Sequence, residues 1–332
     1  MKKLRKFLLY LVVVIVLVVV GAISYITLAL PNVGDAEDIH VPTDAKTIAR
    51  GQYLVSHVVL CTDCHSKRDF GKFAGPVLDG KLGQGGEVFD EKVNFPGSVH
   101  VPNITPFNLK GWTDGEIFRA ITTGVRKDGS AIFPLMPWPS YSKLSREDVY
   151  AIIAYMRTLQ PVNTTFPRAS YNFPLNILVH TMPQKASLGT LPNPSDTLKY
   201  GAYLVNAGAC MDCHTQNVKG QMVAGMEFAG GRSFRIGNNN INSANITPDA
   251  ETGIGNWTSA AFVQRFKNFA DITKTTAVSS TDPQTIMPWY DYAGMTESDL
   301  KSVYAYLKTL KPVKNKVSHF QANAFAAQAG SN

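Results

Sequence analysis

The chain repeats itself in register. Gly51-Gln-Tyr53-Leu-Val returns as Gly201-Ala-Tyr203-Leu-Val, and Cys61-Thr-Asp-Cys64-His65 returns as Cys210-Met-Asp-Cys213-His214. Asn103-Ile-Thr-Pro106 matches Asn245-Ile-Thr-Pro248, and Gly111-Trp112-Thr matches Asn256-Trp257-Thr. Met136-Pro-Trp138 matches Met287-Pro-Trp289, each with a tyrosine five residues after the Met (Tyr141, Tyr292). Ala154-Tyr155-Met-Arg-Thr-Leu-Gln-Pro161-Val matches Ala305-Tyr306-Leu-Lys-Thr-Leu-Lys-Pro312-Val, so all four cysteines and all four tryptophans are shared. A duplication of this length predicts two similar units rather than one fold. Their bounds are expected at 45–162 and 196–316. Residues 163–195, with Pro167, Pro174, Pro183, Pro192 and Pro194, read as a linker lying along the surface. Residues 317–332, rich in Ala, Gln, Asn and Ser, read as a flexible tail.

Within each copy the pattern is helical. Residues 45–59 and 197–207 form short helices that run into the Cys motifs. Thr113-Asp-Gly-Glu116 has capping-box spacing and places Ile117, Phe118 and Ile121 on one face of the helix that follows. Ser145-Arg-Glu-Asp148 opens another helix, with Val149, Ile152, Ile153 and Met156 apolar, and residues 299–310 are its counterpart. No strand ladder is evident, so the expected fold class is all-α.

Cys-x-x-Cys alone fits a zinc half-site, a redox dithiol or haem attachment, and the His directly after it points to the third. One helical turn presents both thiols to one porphyrin edge, and the next residue offers an imidazole to the iron. Zinc would require the two Cys pairs to meet across 149 residues, and a dithiol of the thioredoxin kind needs a βαβ setting that is missing. The expectation is two haem c groups, attached through Cys61/Cys64 and Cys210/Cys213, with His65 and His214 as axial ligands. The repeat then narrows nine methionines to one pair. Met136 and Met287 stand 75 and 77 residues after the first Cys of their motifs, each followed by Pro-Trp. Proline stiffens the loop that presents the sulfur, so these two are the expected sixth ligands. Met156 and Met295 lie opposite Leu307 and Leu144, as core methionines do. Of the histidines without a repeat partner, only His57, one helical turn before Cys61, is near enough to the motif to compete.

Residues 7–30 carry no formal charge and are preceded by Lys2, Lys3, Arg5 and Lys6. That is long enough to cross a bilayer and longer than the usual apolar core of a cleaved signal peptide. The expectation is a single-pass signal anchor at 7–30. Its basic flank (1–6) stays cytoplasmic, and the rest of the chain is sent to the bacterial periplasm by the positive-inside rule. Formal net charge is +7, but without those four residues the remainder carries only +3, which argues against nucleic acid as a partner.

Each copy resembles a class I cytochrome c domain. The closer resemblance is to the multihaem cytochrome c subunits of periplasmic alcohol and sugar-acid dehydrogenases. It shows in Asn245-Ile-Thr-Pro-Asp-Ala-Glu-Thr-Gly-Ile-Gly-Asn-Trp257, in Gly124-Val-Arg-Lys-Asp-Gly-Ser130, in Met136-Pro-Trp-Pro-Ser-Tyr141 and in Asn172-Phe-Pro-Leu-Asn176. The resemblance spans about residues 45–315. It implies two tandem class I cytochrome c domains behind one transmembrane helix, with the Gly51/Tyr53 helix crossing the Tyr155 helix and Gly201/Tyr203 crossing Tyr306. It departs in having two attachment motifs, where those subunits typically have three, and in the N-terminal anchor. The function it implies is single-electron transfer in a periplasmic respiratory chain, not catalysis. The chain would stand between a dehydrogenase or quinol-oxidising complex and a terminal oxidase or soluble cytochrome. The alternative is an electron-transfer subunit docked on a dehydrogenase. A dihaem peroxidase or thiosulfate dehydrogenase would need an open iron or an unusual sixth ligand in one copy, and both copies offer an ordinary Met.

Overall fold

The computed structural model describes residues 1–324. It opens on α1 (Lys2–Ala29), which buries none of its residues. Among the described residues α1 is the one helix long and apolar enough to cross a membrane, with a mean hydropathy of 3.1 over its most apolar window.

In the first repeat α2 (Ala45–Tyr53), capped by Asp44, continues through a π turn at Leu54–Val58 into the short α3 (Cys61–Cys64). Strands β1 (Val88–Phe89) and β2 (Gly97–His100) and helices α4 (Pro106–Leu109), α5 (Asp114–Thr123), α6 (Trp138–Tyr141) and α7 (Arg146–Thr158) complete it. The expected capping box is present at Thr113/Glu116, and Ser145 caps α7 through the Asp148 amide. The linker holds β3 (Ser170–Tyr171) and α8 (Leu175–Leu178). The second repeat runs through α9 (Thr197–Ala207), α10 (Cys210–His214), β4 (Asn217–Val218), β5 (Gln221–Met222), β6 (Ser233–Ile236) and β7 (Asn239–Asn242). It ends with α11 (Ser259–Lys267), α12 (Trp289–Tyr292), α13 (Glu297–Leu307) and β8 (Phe320–Gln321).

One expectation is corrected. The fold is not all-α, because short strands form three small antiparallel sheets, β1-β2-β3, β4-β5 and β6-β7-β8. Strands of two to four residues are too short to show an alternating pattern, which is why the sequence hides them. Of the expected tail at 317–332, only the first part is described. Phe320 pairs with Ile241, so residues up to 324 are placed, and residues 325–332 lie outside the described part.

Each repeat is built on a crossing of its first and last long helices, α2 on α7 and α9 on α13. The crossing is made close by glycine. A Cβ on Gly51 would lie 1.9 Å from the Ala151 carbonyl oxygen, and one on Gly201 would lie 2.0 Å from that of Ser302. Met156 and Met295 are core residues, each 4% exposed, beside Leu144, Ile152, Leu300 and Leu307.

The two repeats face each other across an approximate two-fold. The Tyr53 hydroxyl donates to Asp299 Oδ2 (2.6 Å) and accepts from the Thr296 amide (3.0 Å), at the capped start of α13. Reciprocally, the Tyr203 hydroxyl donates to Asp148 Oδ2 (2.6 Å) and accepts from the Ser145 amide (3.2 Å), at the start of α7. His57 Nδ1 donates to the Asp291 carbonyl (2.8 Å), and at the equivalent place Asn206 Nδ2 donates to the Ser140 carbonyl (2.9 Å). Residue i meeting j while j′ meets i′ is the contact pattern of an isologous interface, here within one chain.

Candidate haem-attachment sites

Each Cys motif starts from a residue with positive φ, Leu60 at 58° and Ala209 at 48°. Side chains adopt this conformation rarely, and it turns the chain sharply into the one-turn helix that bears the thiols. Cys61 and Cys210 are half-buried and Cys64 and Cys213 are exposed, and none of the four is in a disulfide. Burial pushes the Cys61 and Cys210 thiols up to about 12. Among the described residues, no three His, Cys, Asp or Glu side chains converge as they would around a bare metal ion.

The histidines are held identically. His65 Nδ1 lies 2.8 Å from the Pro102 carbonyl, and His214 Nδ1 lies 2.8 Å from the Ala244 carbonyl. A carbonyl only accepts, so Nδ1 bears the proton and Nε2 keeps its lone pair. Burial lowers both imidazoles, His65 to about 4, so they stay neutral at physiological pH. The carbonyls are themselves fixed by the repeated Asn-Ile-Thr-Pro motif. Asn103 Nδ2 donates to the Val162 carbonyl (2.7 Å), and its Oδ1 accepts from the Thr105 amide and hydroxyl (both 2.7 Å). Asn245 does the same with the Val313 carbonyl (2.8 Å) and Thr247 (2.9 and 2.8 Å). Gly85 and Gly230 donate their amides to the carbonyls of His65 and His214 (2.8 and 2.7 Å). A Cβ at either glycine would strike this same loop, 2.5 Å from the Val101 oxygen or 2.4 Å from the Ala244 carbonyl carbon.

The methionine loops also coincide. The Trp138 amide donates to the Met136 carbonyl (2.7 Å) around Pro137 at φ −76°, ψ 49°. The Trp289 amide donates to the Met287 carbonyl (2.8 Å) around Pro288 at φ −78°, ψ 69°. These are inverse γ-turns, and proline supplies the φ they need. Met136 and Met287 are half-buried, and Met136 packs against the core. The tyrosine that follows each loop ties it to the residue two before the first Cys. Tyr141 donates to the Val59 carbonyl (3.2 Å) and Tyr292 to the Gly208 carbonyl (3.1 Å). Paired thiols on one turn, an imidazole with its outer nitrogen already bonded, and a stiffened Met loop fit a covalently attached haem.

A comparison with known proteins now settles the class of one repeat. Residues 198–311 match the cytochrome c family. The second repeat is a cytochrome c domain. Such a domain holds haem c, and the site built around Cys210, Cys213 and His214 has the parts for it. The chain is 26% identical over 285 residues to the cytochrome c subunit of the quinone alcohol dehydrogenase of Komagataeibacter europaeus, covering 81% of this chain and 57% of that protein. It is 26% identical over 289 residues to the fructose dehydrogenase cytochrome subunit of Gluconobacter japonicus, covering 83% and 55%. It is also 26% identical over 275 residues to a diheme cytochrome c-type protein of Cereibacter sphaeroides, covering 76% and 83%. The chain thus spans little more than half the length of the two dehydrogenase subunits.

The sequence singled out the side chains but not what holds them. Tyr141 and Tyr292 stood in a repeated motif with no stated role, and Pro102, Ala244, Gly85 and Gly230 lay outside every motif.

Proposed function

We propose that the chain is a membrane-anchored electron-transfer protein with two haem c groups, one in each of two tandem cytochrome c domains at 45–162 and 196–316. Cys61 and Cys64 attach the first haem, with His65 and Met136 as axial ligands; Cys210 and Cys213 attach the second, with His214 and Met287. The observation that supports this most is duplicated: in both repeats a backbone carbonyl 2.8 Å from Nδ1 leaves the histidine Nε2 free to bind a metal. Bound there, the haem supplies a one-electron couple, and Met as sixth ligand favours a high potential. The protein's own part is to hold both ligands, exclude water from the iron and bring the two sites together. With a haem at each, the two sites would carry single electrons between partners across the interface held by Tyr53, Tyr203 and His57. The donor is a periplasmic dehydrogenase or quinol-oxidising complex, and the acceptor a terminal oxidase or soluble cytochrome. The likeness to dehydrogenase cytochrome subunits favours a second reading, in which the chain stays docked on a dehydrogenase. Copurification from native membranes separates the two.

Mass spectrometry of the intact protein, made in a host that matures c-type cytochromes, tests the assignment. Two haem additions are expected, and one after Cys210→Ala/Cys213→Ala. One or none in the wild type overturns it. Met136→Ala should open the first iron to carbon monoxide in the reduced state, while the wild type binds it at neither site.

A further inference from the structure

The linker between the repeats has an apolar surface that electron transfer does not use. Residues 169–184 contain no Asp, Glu, Lys or Arg. Within them Phe173 is 79% exposed and Leu178 46% exposed, on a segment that folds as α8 followed by a 3₁₀ turn at Val179–Thr181. One exposed phenylalanine on a soluble surface needs no explanation by itself, and the case for a partner comes from where this one lies.

Helix α8 and the 3₁₀ turn pack against α1, and His180 Nδ1 donates to the carbonyl of Leu30, directly after the end of α1 (3.2 Å). At 1.5 Å per residue the 28 residues of α1 extend about 42 Å, against a hydrocarbon core of about 30 Å. With Lys2, Lys3, Arg5 and Lys6 held at the cytoplasmic side, the last turns of α1 stand at the outer headgroup level. Tyr25 (62% exposed) and Leu28 (86% exposed) are there too, an aromatic and an aliphatic residue suited to that depth. Whatever touches Leu30 shares this depth. The linker is also rigidly joined to the first repeat. Ser170 and Tyr171 pair with Ser98 and Gly97 of β2, Tyr171 packs with Phe95 and Phe133, and the Gln184 amide donates to the Thr123 carbonyl at the end of α5 (3.3 Å).

We propose that Phe173 and Leu178 are a second membrane contact, seated in the lipid interface beside the exit of α1. They fix how the first repeat faces the bilayer. The inference rests on α1 spanning the membrane, and the occupant it commits to is phospholipid, for which an uncharged patch continuous with a spanning helix is suited.

The test is photocrosslinking of the full chain in phospholipid nanodiscs. Single variants carry Phe173→p-benzoylphenylalanine, Leu178→p-benzoylphenylalanine, Leu17→p-benzoylphenylalanine within α1, or Ile272→p-benzoylphenylalanine on the second repeat. Ile272 is 49% exposed and apolar, so it reports random lipid contact. Phospholipid adducts are expected at positions 17, 173 and 178, the last two about tenfold above position 272 because only they sit in the interface. Adducts at 17 with none at 173 and 178, or yields at 173 no higher than at 272, overturn the inference and leave the anchor standing. No adduct at 17 overturns the anchor, and the inference with it. Repeated in native membranes, adducts at 173 and 178 to a polypeptide instead of lipid also overturn it, since the patch is then a protein interface.

Discussion

In the first repeat the loop after α5 folds back over its own helix. Lys127 reaches the Gly111 carbonyl and pairs with Glu116 (3.3 Å), and Arg119 donates to the Arg126 carbonyl (2.9 Å). In the second repeat the corresponding loop, residues 273–285, leaves its helix and crosses to the other half. The Phe73 amide donates to Thr276 and the Val278 amide to Gly71 (both 2.9 Å). Gln284, 7% exposed, accepts from the Ala74 amide (2.7 Å) and donates to the carbonyls of Phe70 (3.2 Å) and Lys72 (2.9 Å). The cost of that departure is visible on α11, where an open groove remains beside Trp257, Ala261 and Arg265. Trp257 is 38% exposed, whereas Trp112 packs on the core. The duplicated elements thus keep the ligands in place, and the loop that diverged joins the halves.

The largest effect should come from the helix crossings. Gly51→Val and Gly201→Val each drive a side chain into a carbonyl that already lies within 2.0 Å of the Cβ position, so the helices must separate. Overpacking of this kind costs about 3 kcal/mol. Because Tyr53 and Tyr203 bind each half to the other's helix start, both variants should unfold the protein in one transition at a lowered Tm. Two separate transitions by calorimetry, only one of them displaced, would show the halves to be independent.

The interface itself is unequal. Asp148 accepts from Arg50 Nε and Nη2 (both 2.8 Å) as well as from Tyr203, and its side chain is 2% exposed. Among the described residues Asp299 accepts from no side chain but Tyr53, because position 200 holds a tyrosine where position 50 holds an arginine. Removing one partner of a buried ion pair costs about 4 kcal/mol, and losing a hydrogen bond to a carboxylate about 2 kcal/mol. Asp148→Ala should therefore destabilise roughly twofold more, in free energy, than Asp299→Ala. Equal losses in denaturant midpoint would mean that Arg50 contributes nothing.

The sequence displayed the duplication, the attachment motifs, the helix caps and the core methionines, because each is a local pattern with a local cause. It did not display the interface. Tyr53 reads as a helix aromatic for its own repeat, yet its hydroxyl reaches Asp299, 246 positions away. A signal was present: Tyr53 and Tyr203 recur together with Ser145-x-x-Asp148 and Thr296-x-x-Asp299, a cap with a spare acceptor in each copy. Nothing local says that tyrosine and cap meet across the two-fold. The crossed loop was legible only as a departure from the repeat. The short strands left no trace because two residues cannot establish a period.

The smallest effect sharpens the comparison at its most asymmetric point. Position 140 of the first repeat is Ser, and its equivalent in the second is Asp291, whose carbonyl binds His57. Burial, with the nearby Asp63 carboxylate, pushes the Asp291 carboxyl up to about 7, although Arg68 opposes the shift. The ordinary value is 3.8, so between about pH 4 and pH 7 the folded state binds more protons than the unfolded chain. Stability from this group is therefore complete below about pH 4, declines as pH rises towards 7, and is level above it. Asp291→Asn keeps the shape, leaves the backbone carbonyl for His57 and removes the ionisation. Denaturant midpoints taken at pH 4 and pH 8 should fall more for the wild type than for Asp291→Asn, with the two closest at pH 4. Parallel profiles would mean that water already solvates the carboxylate, and the halves would then differ here in sequence without differing in charge.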